Sequence, residues 1–193
     1  MRRIIRFALF GAIGYGAGGV LHFFVLRSLL PYGVGVWAVG VQVLFVVTGL
    51  LGGAALGVAL RKGVRGIIIL GLRSGIGFLF GNFLGGQLIS LMLPEDLSAS
   101  TNLVFVAVVH GVLKGAFGGM VLGLYLRGWR KTVGLSLAGA LGFGTGSLIV
   151  QTSSRWPGLS FDMLIFLGLI GPALMGIIGG ALLGTAVGYF EKE

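Results

Sequence analysis

Cysteine is missing from all 193 residues, and acid is nearly missing: five Asp and Glu stand against fourteen Lys and Arg. The first absence excludes disulfides and thiolate metal sites and leaves the redox compartment unreadable. The second, with only two histidines, leaves little for a metal centre. No paired carboxylates, no nucleophile beside a base and no metal-ligand set can be assembled from what remains. The glycine-rich runs lack the strand, Lys and Ser/Thr context of a nucleotide-binding loop. The chain is therefore expected not to be an enzyme, to need no resident cofactor, and to bind no nucleic acid.

Charge of either sign is scarce as well. Only 10% of residues are charged, the mean hydropathy is +1.05, and a soluble domain carries roughly 25% charged residues. No charge interrupts residues 163–190 or 133–150, and about 20 apolar residues suffice to cross a bilayer core. The composition is that of an integral membrane protein. The opening "MRRIIRFALFGAIGYGAGG" reads as a first span rather than a signal peptide. No small-x-small cleavage site follows it, and it belongs to an internal repeat.

What is abundant is glycine, 39 residues of it, and it is patterned. Pro31, Pro94 and Pro157 are evenly spaced, each preceded by an aromatic-glycine phrase: "GAIGYGAG", "SGIGFLFG" and "GALGFGTG". After each comes a Gly-Gly-x-x-Leu-Gly phrase: "GGAALG", "GGMVLG" and "GGALLG". Basic clusters punctuate the units. A single membrane domain, 1–193, is thus expected to hold three tandem repeats of about 1–63, 64–130 and 131–193. Each repeat is a helical hairpin, which gives an all-α fold with spans near 4–27, 36–60, 66–93, 102–127, 131–151 and 162–190.

Arg2, Arg3, Arg6, Arg61, Lys62, Arg65, Arg127, Arg130 and Lys131 all fall on one side of these spans. Glu95, Asp96, Arg155 and Asp162 fall toward the other. The Lys/Arg excess predicts that both termini and the basic clusters are cytoplasmic. Each unit then enters and leaves on one side, so the repeats run parallel about an axis along the membrane normal. Arg61, Lys62, Arg65, Arg127, Arg130 and Lys131 are expected to meet anionic lipid or an acidic partner there.

In the second helix of each unit the glycines fall four apart: Gly49, Gly53, Gly57; Gly111, Gly115, Gly119, Gly123; Gly176, Gly180, Gly184, Gly188. Residues four apart share a helix face. Lipid supplies no hydrophobic drive for helices to associate, so small-xxx-small stripes are expected to pack the bundle as glycine zippers.

The strongly polar residues at membrane depth concentrate where the copies differ. Arg73, Asn82 and Gln87 lie in the third span, His110 and Lys114 in the fourth. The first unit has Phe10, Gly19, Leu44 and Thr48 near the corresponding places. At 1.5 Å per residue from the basic end, Arg73 lies ~10 Å deep, Lys114 ~18 Å, Asn82 and His110 ~24 Å, and His22 and Gln42 ~27 Å. Thr145 and Ser147 come out near the same height. Arg73, His110 and Lys114 are expected to face protein. His22, Gln42, Asn82 and His110 form a polar layer, with an Asn82–His110 hydrogen bond and Lys114 beneath it. No intramembrane carboxylate is available to Lys114, so it is either neutral or met by an anion or backbone carbonyls.

Three functions fit these residues. One is a structural or accessory subunit of a larger membrane assembly, supported by short loops and the lack of a soluble domain. A second is a channel or facilitator for a small anion or polar solute along Lys114, Arg73, His110 and Asn82. A third is a haem-binding subunit, since His22 and His110 sit at similar depth on different helices. Absence of intramembrane Asp and Glu argues against proton or sodium coupling. Mitochondrial carriers share the outline of three two-span repeats. Here the repeat length differs and their Pro-x-acid-x-x-base phrase is missing, so no family is assigned.

Overall fold

The computed structural model describes residues 1–29, 34–92, 99–153 and 161–191, and not the side chains at the helix ends that lead into the three proline loops. Pro31, Pro94, Pro157, Glu95, Asp96 and Arg155, and the side chain of Asp162, lie outside the described residues. Within them are six helices: α1 (Arg2–Leu29), α2 (Val34–Ala59), α3 (Val64–Met92), α4 (Ala99–Tyr125), α5 (Trp129–Ser153) and α6 (Phe161–Phe190). All six are long and apolar enough to cross a membrane. At 25 to 30 residues apiece they extend roughly 38–45 Å, the hydrocarbon core plus its headgroup regions. The molecule is an all-helical, multi-pass membrane protein.

The helices form a closed ring. Each packs on its neighbours in chain order, and α6 returns to pack on α1. The interfaces α2·α3, α4·α5 and α6·α1 are drawn close by glycine. A Cβ added at Gly53 would strike the Leu70 carbonyl of α3, one at Gly119 the Leu135 carbonyl of α5, and one at Gly180 the Gly11 carbonyl of α1. Gly115 and Gly139 face each other so closely that a Cβ on either would strike the other's carbonyl. The alternate interfaces use glycines of the odd-numbered helices. Gly18 lies against Thr48, Gly81 against Lys114 and Gly146 against Met175. Dispersion between backbones that approach this closely replaces the hydrophobic drive that lipid cannot supply.

The Gly-Gly-x-x-Leu-Gly phrase has one physical role per letter. Its first glycine (Gly52, Gly118, Gly179) accommodates an aromatic ring, that of Tyr15, Phe78 or Phe143 respectively. Its second takes the backbone of the next helix, as above. Its leucine (Leu56, Leu122, Leu183) fills the core with at most 1% exposure. The three rings meet one another at the centre, with centroids 5.0–5.3 Å apart: one stacked pair and two edge-on. Tyr15 Oη hydrogen-bonds Ser74 Oγ at 2.8 Å, so the one hydroxyl in this layer is satisfied.

Between this aromatic layer and the end that carries the termini, Phe7, Leu56, Leu70, Leu122, Leu135 and Leu183 are all buried. That half of the ring is solid. At its end α2 and α4 terminate on arginines with left-handed backbone, Arg61 (φ 53°) and Arg127 (φ 54°). Arg61 N–H donates to Val58 O at 2.9 Å and Lys62 N–H to Gly57 O at 3.0 Å, the paired bonds that commonly close a helix around glycine. Arg61, Lys62, Arg65, Arg127 and Arg130 are exposed and Lys131 is half-buried, all at this basic end.

Candidate functional site

The other half of the ring is not solid. A cavity of about 440 Å³ opens there, and all six helices contribute to its wall. His22 comes from α1, Gln42 and Phe45 from α2, Asn82 from α3, His110 and Lys114 from α4, Ser147 from α5, and Pro172 and Met175 from α6. Asn82 and Ser147 each lie one helical turn beyond Phe78 and Phe143, so the aromatic layer is the floor.

Lys114 reaches this cavity through glycine. A Cβ on Gly81 would lie 2.6 Å from the Lys114 Cα, so α3 and α4 touch at this height and the lysine stem is sheathed. The residue is 5% exposed. Its Nζ stands 3.5 Å from the centroid of the Phe45 ring, a distance at which a desolvated ammonium gains about 2 kcal/mol from the ring's negative face. The same ring packs on the His22 imidazole, centroid to centroid 4.9 Å. Among the described residues no carboxylate lines the cavity.

The polar layer assembles with altered pairing. Asn82 donates from Nδ2 to Gln42 Oε1 at 2.6 Å across α2·α3, not to the His110 side chain. His110 instead lies over Gly85, where a Cβ would be 2.6 Å from the ring, and faces the backbone carbonyls of Val106 and Asn82. The amide oxygen of Gln42 offers the acceptor that Asn82 needs, and the rotation of α2 about its axis brings it there. Ser147 Oγ contacts Met175 Sδ at 2.9 Å. His22, Asn82, Lys114 and Ser147 are buried, His110 is half-buried, and Gln42 at the rim is exposed.

Two expectations fail. Arg73 does not face protein: it is exposed, with its guanidinium carbon 5.4 Å from the Tyr125 ring centroid, well outside the cavity. Gly77, Gly81 and Gly85 make the α3·α4 contact. The long Arg73 stem lies along the bundle and its head seeks the polar end. Thr145 is exposed too, two residues from Ser147 and thus on the opposite side of α5. Gln87 likewise points outward.

Phe45, Met175 and Pro172 were not legible as site residues, although two signals were present. Phe45 lies three residues after Gln42, on the same helix face. Pro172 is the one proline outside the regular spacing; inside α6 it frees a carbonyl one turn earlier and so marks local irregularity. Against this geometry, comparison with known proteins returns nothing: no family model, no curated protein and no solved structure matches the chain.

Proposed function

We propose that this protein is a membrane facilitator for a small anionic solute, held in the six-helix cavity by Lys114. The observation that carries the reading is a lysine 5% exposed, in a cavity with no carboxylate on its wall among the described residues. A packing role would be served by an apolar residue at lower cost, so an anion is the missing partner. Asn82, Gln42, His22 and His110 supply neutral hydrogen-bonding groups around it. Val41, Ala107, Val150 and Met175 form an apolar wall, which suits a singly charged solute with a small apolar body. The aromatic floor and the leucines below it block a continuous path, so passage requires the ring to open at that layer rather than a standing pore.

The scaffold in this reading is three tandem hairpins, 1–63, 64–130 and 131–193, zipped by glycine. The recurring contacts of Gly52, Gly118 and Gly179 with one ring each support it, as do the three interfaces made by Gly53, Gly119 and Gly180. Both termini and the basic end lie in the cytoplasm, following the Lys/Arg bias. Uptake of radiolabelled short monocarboxylates into proteoliposomes tests the function. The wild type takes up at least one of them and Lys114→Met abolishes that uptake; undiminished uptake by the variant removes Lys114 from the mechanism.

The blocked floor favours a second reading, an accessory subunit of a larger membrane assembly. Co-purification with partner subunits in mild detergent supports it, and recovery as a lone, stable species counts against it. The two histidines share the cavity wall, and an absorption spectrum of the purified protein settles haem directly. The anion reading expects no Soret band.

A further inference from the structure

A second cavity lies at the basic end, about 560 Å³ and far from Lys114, between the start of α1, the close of α2 and the end of α6. We propose that it is a binding site for a phosphate-bearing anion, cradled by Arg2, Arg3, Arg6 and Arg61, with the Glu191 carboxylate as the internal group that the phosphate displaces. Four guanidiniums and one carboxylate line it, a local balance of +3 by subtraction. Arg3 pairs with Glu191, the single ion pair among the described residues. Among the described residues the remaining arginines face no carboxylate of the cavity wall, and like charges this close repel.

Arg6 identifies what is missing. One of its terminal nitrogens donates to the Ala59 carbonyl at 2.9 Å, and its guanidinium carbon stands 5.3 Å from the Phe7 ring centroid, so the head is held from two sides. Yet its Nε is buried without a hydrogen-bond partner, alone in this among the described residues. Native structures rarely leave a buried donor unmet unless an ion or ligand normally meets it.

Arg61 completes the lining. It occupies a left-handed backbone position, φ 53°, which glycine adopts at roughly 1–2 kcal/mol lower cost. Arg127 closes α4 in the same conformation, φ 54°, so the backbone there belongs to the helix end and Arg61 contributes to the site by its charge. A phosphate matches such a cradle better than a carboxylate does. It presents more acceptor oxygens and up to two charges, and the planar guanidinium fork binds it bidentately.

Two sources supply a phosphate at the end of a membrane bundle: a lipid headgroup and a free phosphate. The inference uses the membrane reading but not the Lys114 cavity. The test measures binding to the purified full-length protein by ligand-induced thermal shift, using inorganic phosphate, short-chain phosphatidic acid and, as the zwitterionic control, short-chain phosphatidylcholine. Binding of both phosphate and phosphatidic acid assigns recognition to the phosphate group. Binding of phosphatidic acid alone assigns it to a lipid headgroup; either result supports the site.

Arg61→Gly should weaken binding about tenfold, the loss of one charge-assisted contact, while the unliganded protein melts no lower because glycine suits the backbone there. Arg6→Gln should weaken it similarly, and Glu191→Gln, which removes the competing carboxylate, should tighten it. Lys114→Met should bind phosphate normally, so failure of the solute reading and failure of this one are separable. Failure of both inorganic phosphate and phosphatidic acid to bind overturns the proposal, and so does binding that survives Arg61→Gly unchanged.

Discussion

Lys114 places an amine where hydrocarbon disfavours its charged form by about 2.5–3.5 kcal/mol, against the face of the Phe45 ring. In the proposed reading it serves the solute and not stability. Lys114→Met keeps an unbranched stem and removes the ammonium, so the purified protein should melt higher, by a few degrees for each kcal/mol recovered in a chain of this size, while solute uptake is lost. A lower melting temperature would make the ammonium structural. Asn82→Leu should act in the opposite direction. It leaves Gln42 without its donor and should cost about 0.6–1.7 kcal/mol, the range of interhelical hydrogen bonds in membranes, read as a drop in thermal stability. That Lys114 and Asn82 belong together was legible from depth alone, because a helix rises by a fixed amount per residue. The choice of Gln42 as the partner of Asn82 was not. It depends on how three helices are rotated about their own axes, which spacing along one helix does not specify.

At the scale of the element, glycines lie where the helix backbones come closest. A Cβ on Gly115 would strike the carbonyl of Gly139, and nothing there is a flexible side chain that could withdraw. Gly115→Ala should therefore force α4 and α5 apart and cost about 1–3 kcal/mol, the usual penalty of overpacking. Gly63→Ala is the matched control: a Cβ there meets nothing within 4 Å, and the melting temperature should hold. Equal losses from both would contradict the packing account, since a Cβ at Gly63 has nothing to strike. The helices themselves were almost entirely legible. The expected span 131–151 became Trp129–Ser153 and 4–27 became Arg2–Leu29, because hydrocarbon length and charge together bound a span. Arg73 shows the limit of that reading. Position 73 continues the register of Gly77 and Gly81, yet its guanidinium lies out beside Tyr125, a placement that spacing along one helix does not specify.

For the whole molecule, the ring divides into a solid half and a hollow half. Phe7, Tyr15, Phe78 and Phe143 and the leucines fill the centre and the half toward the basic end, the arginine-lined cavity lies at that end's surface, and the polar cavity occupies the other half. The share of α3 and α4 in the cavity wall, through Asn82, His110 and Lys114, was legible from where their sequence carries polar residues at membrane depth. The contributions of α1, α5 and α6 to the same wall were not, since they depend on ring closure of α6 onto α1. The absence of native cysteine makes topology directly measurable. Gly63→Cys should react with an impermeant maleimide only when the cytoplasmic side is exposed, and labelling in intact cells would reverse the orientation. The most direct test of the account as a whole is uptake of short monocarboxylates by proteoliposomes containing the wild type or Lys114→Met, both verified as folded. The account predicts saturable uptake through the wild type and none above protein-free vesicles through the variant; equal uptake through both would contradict it.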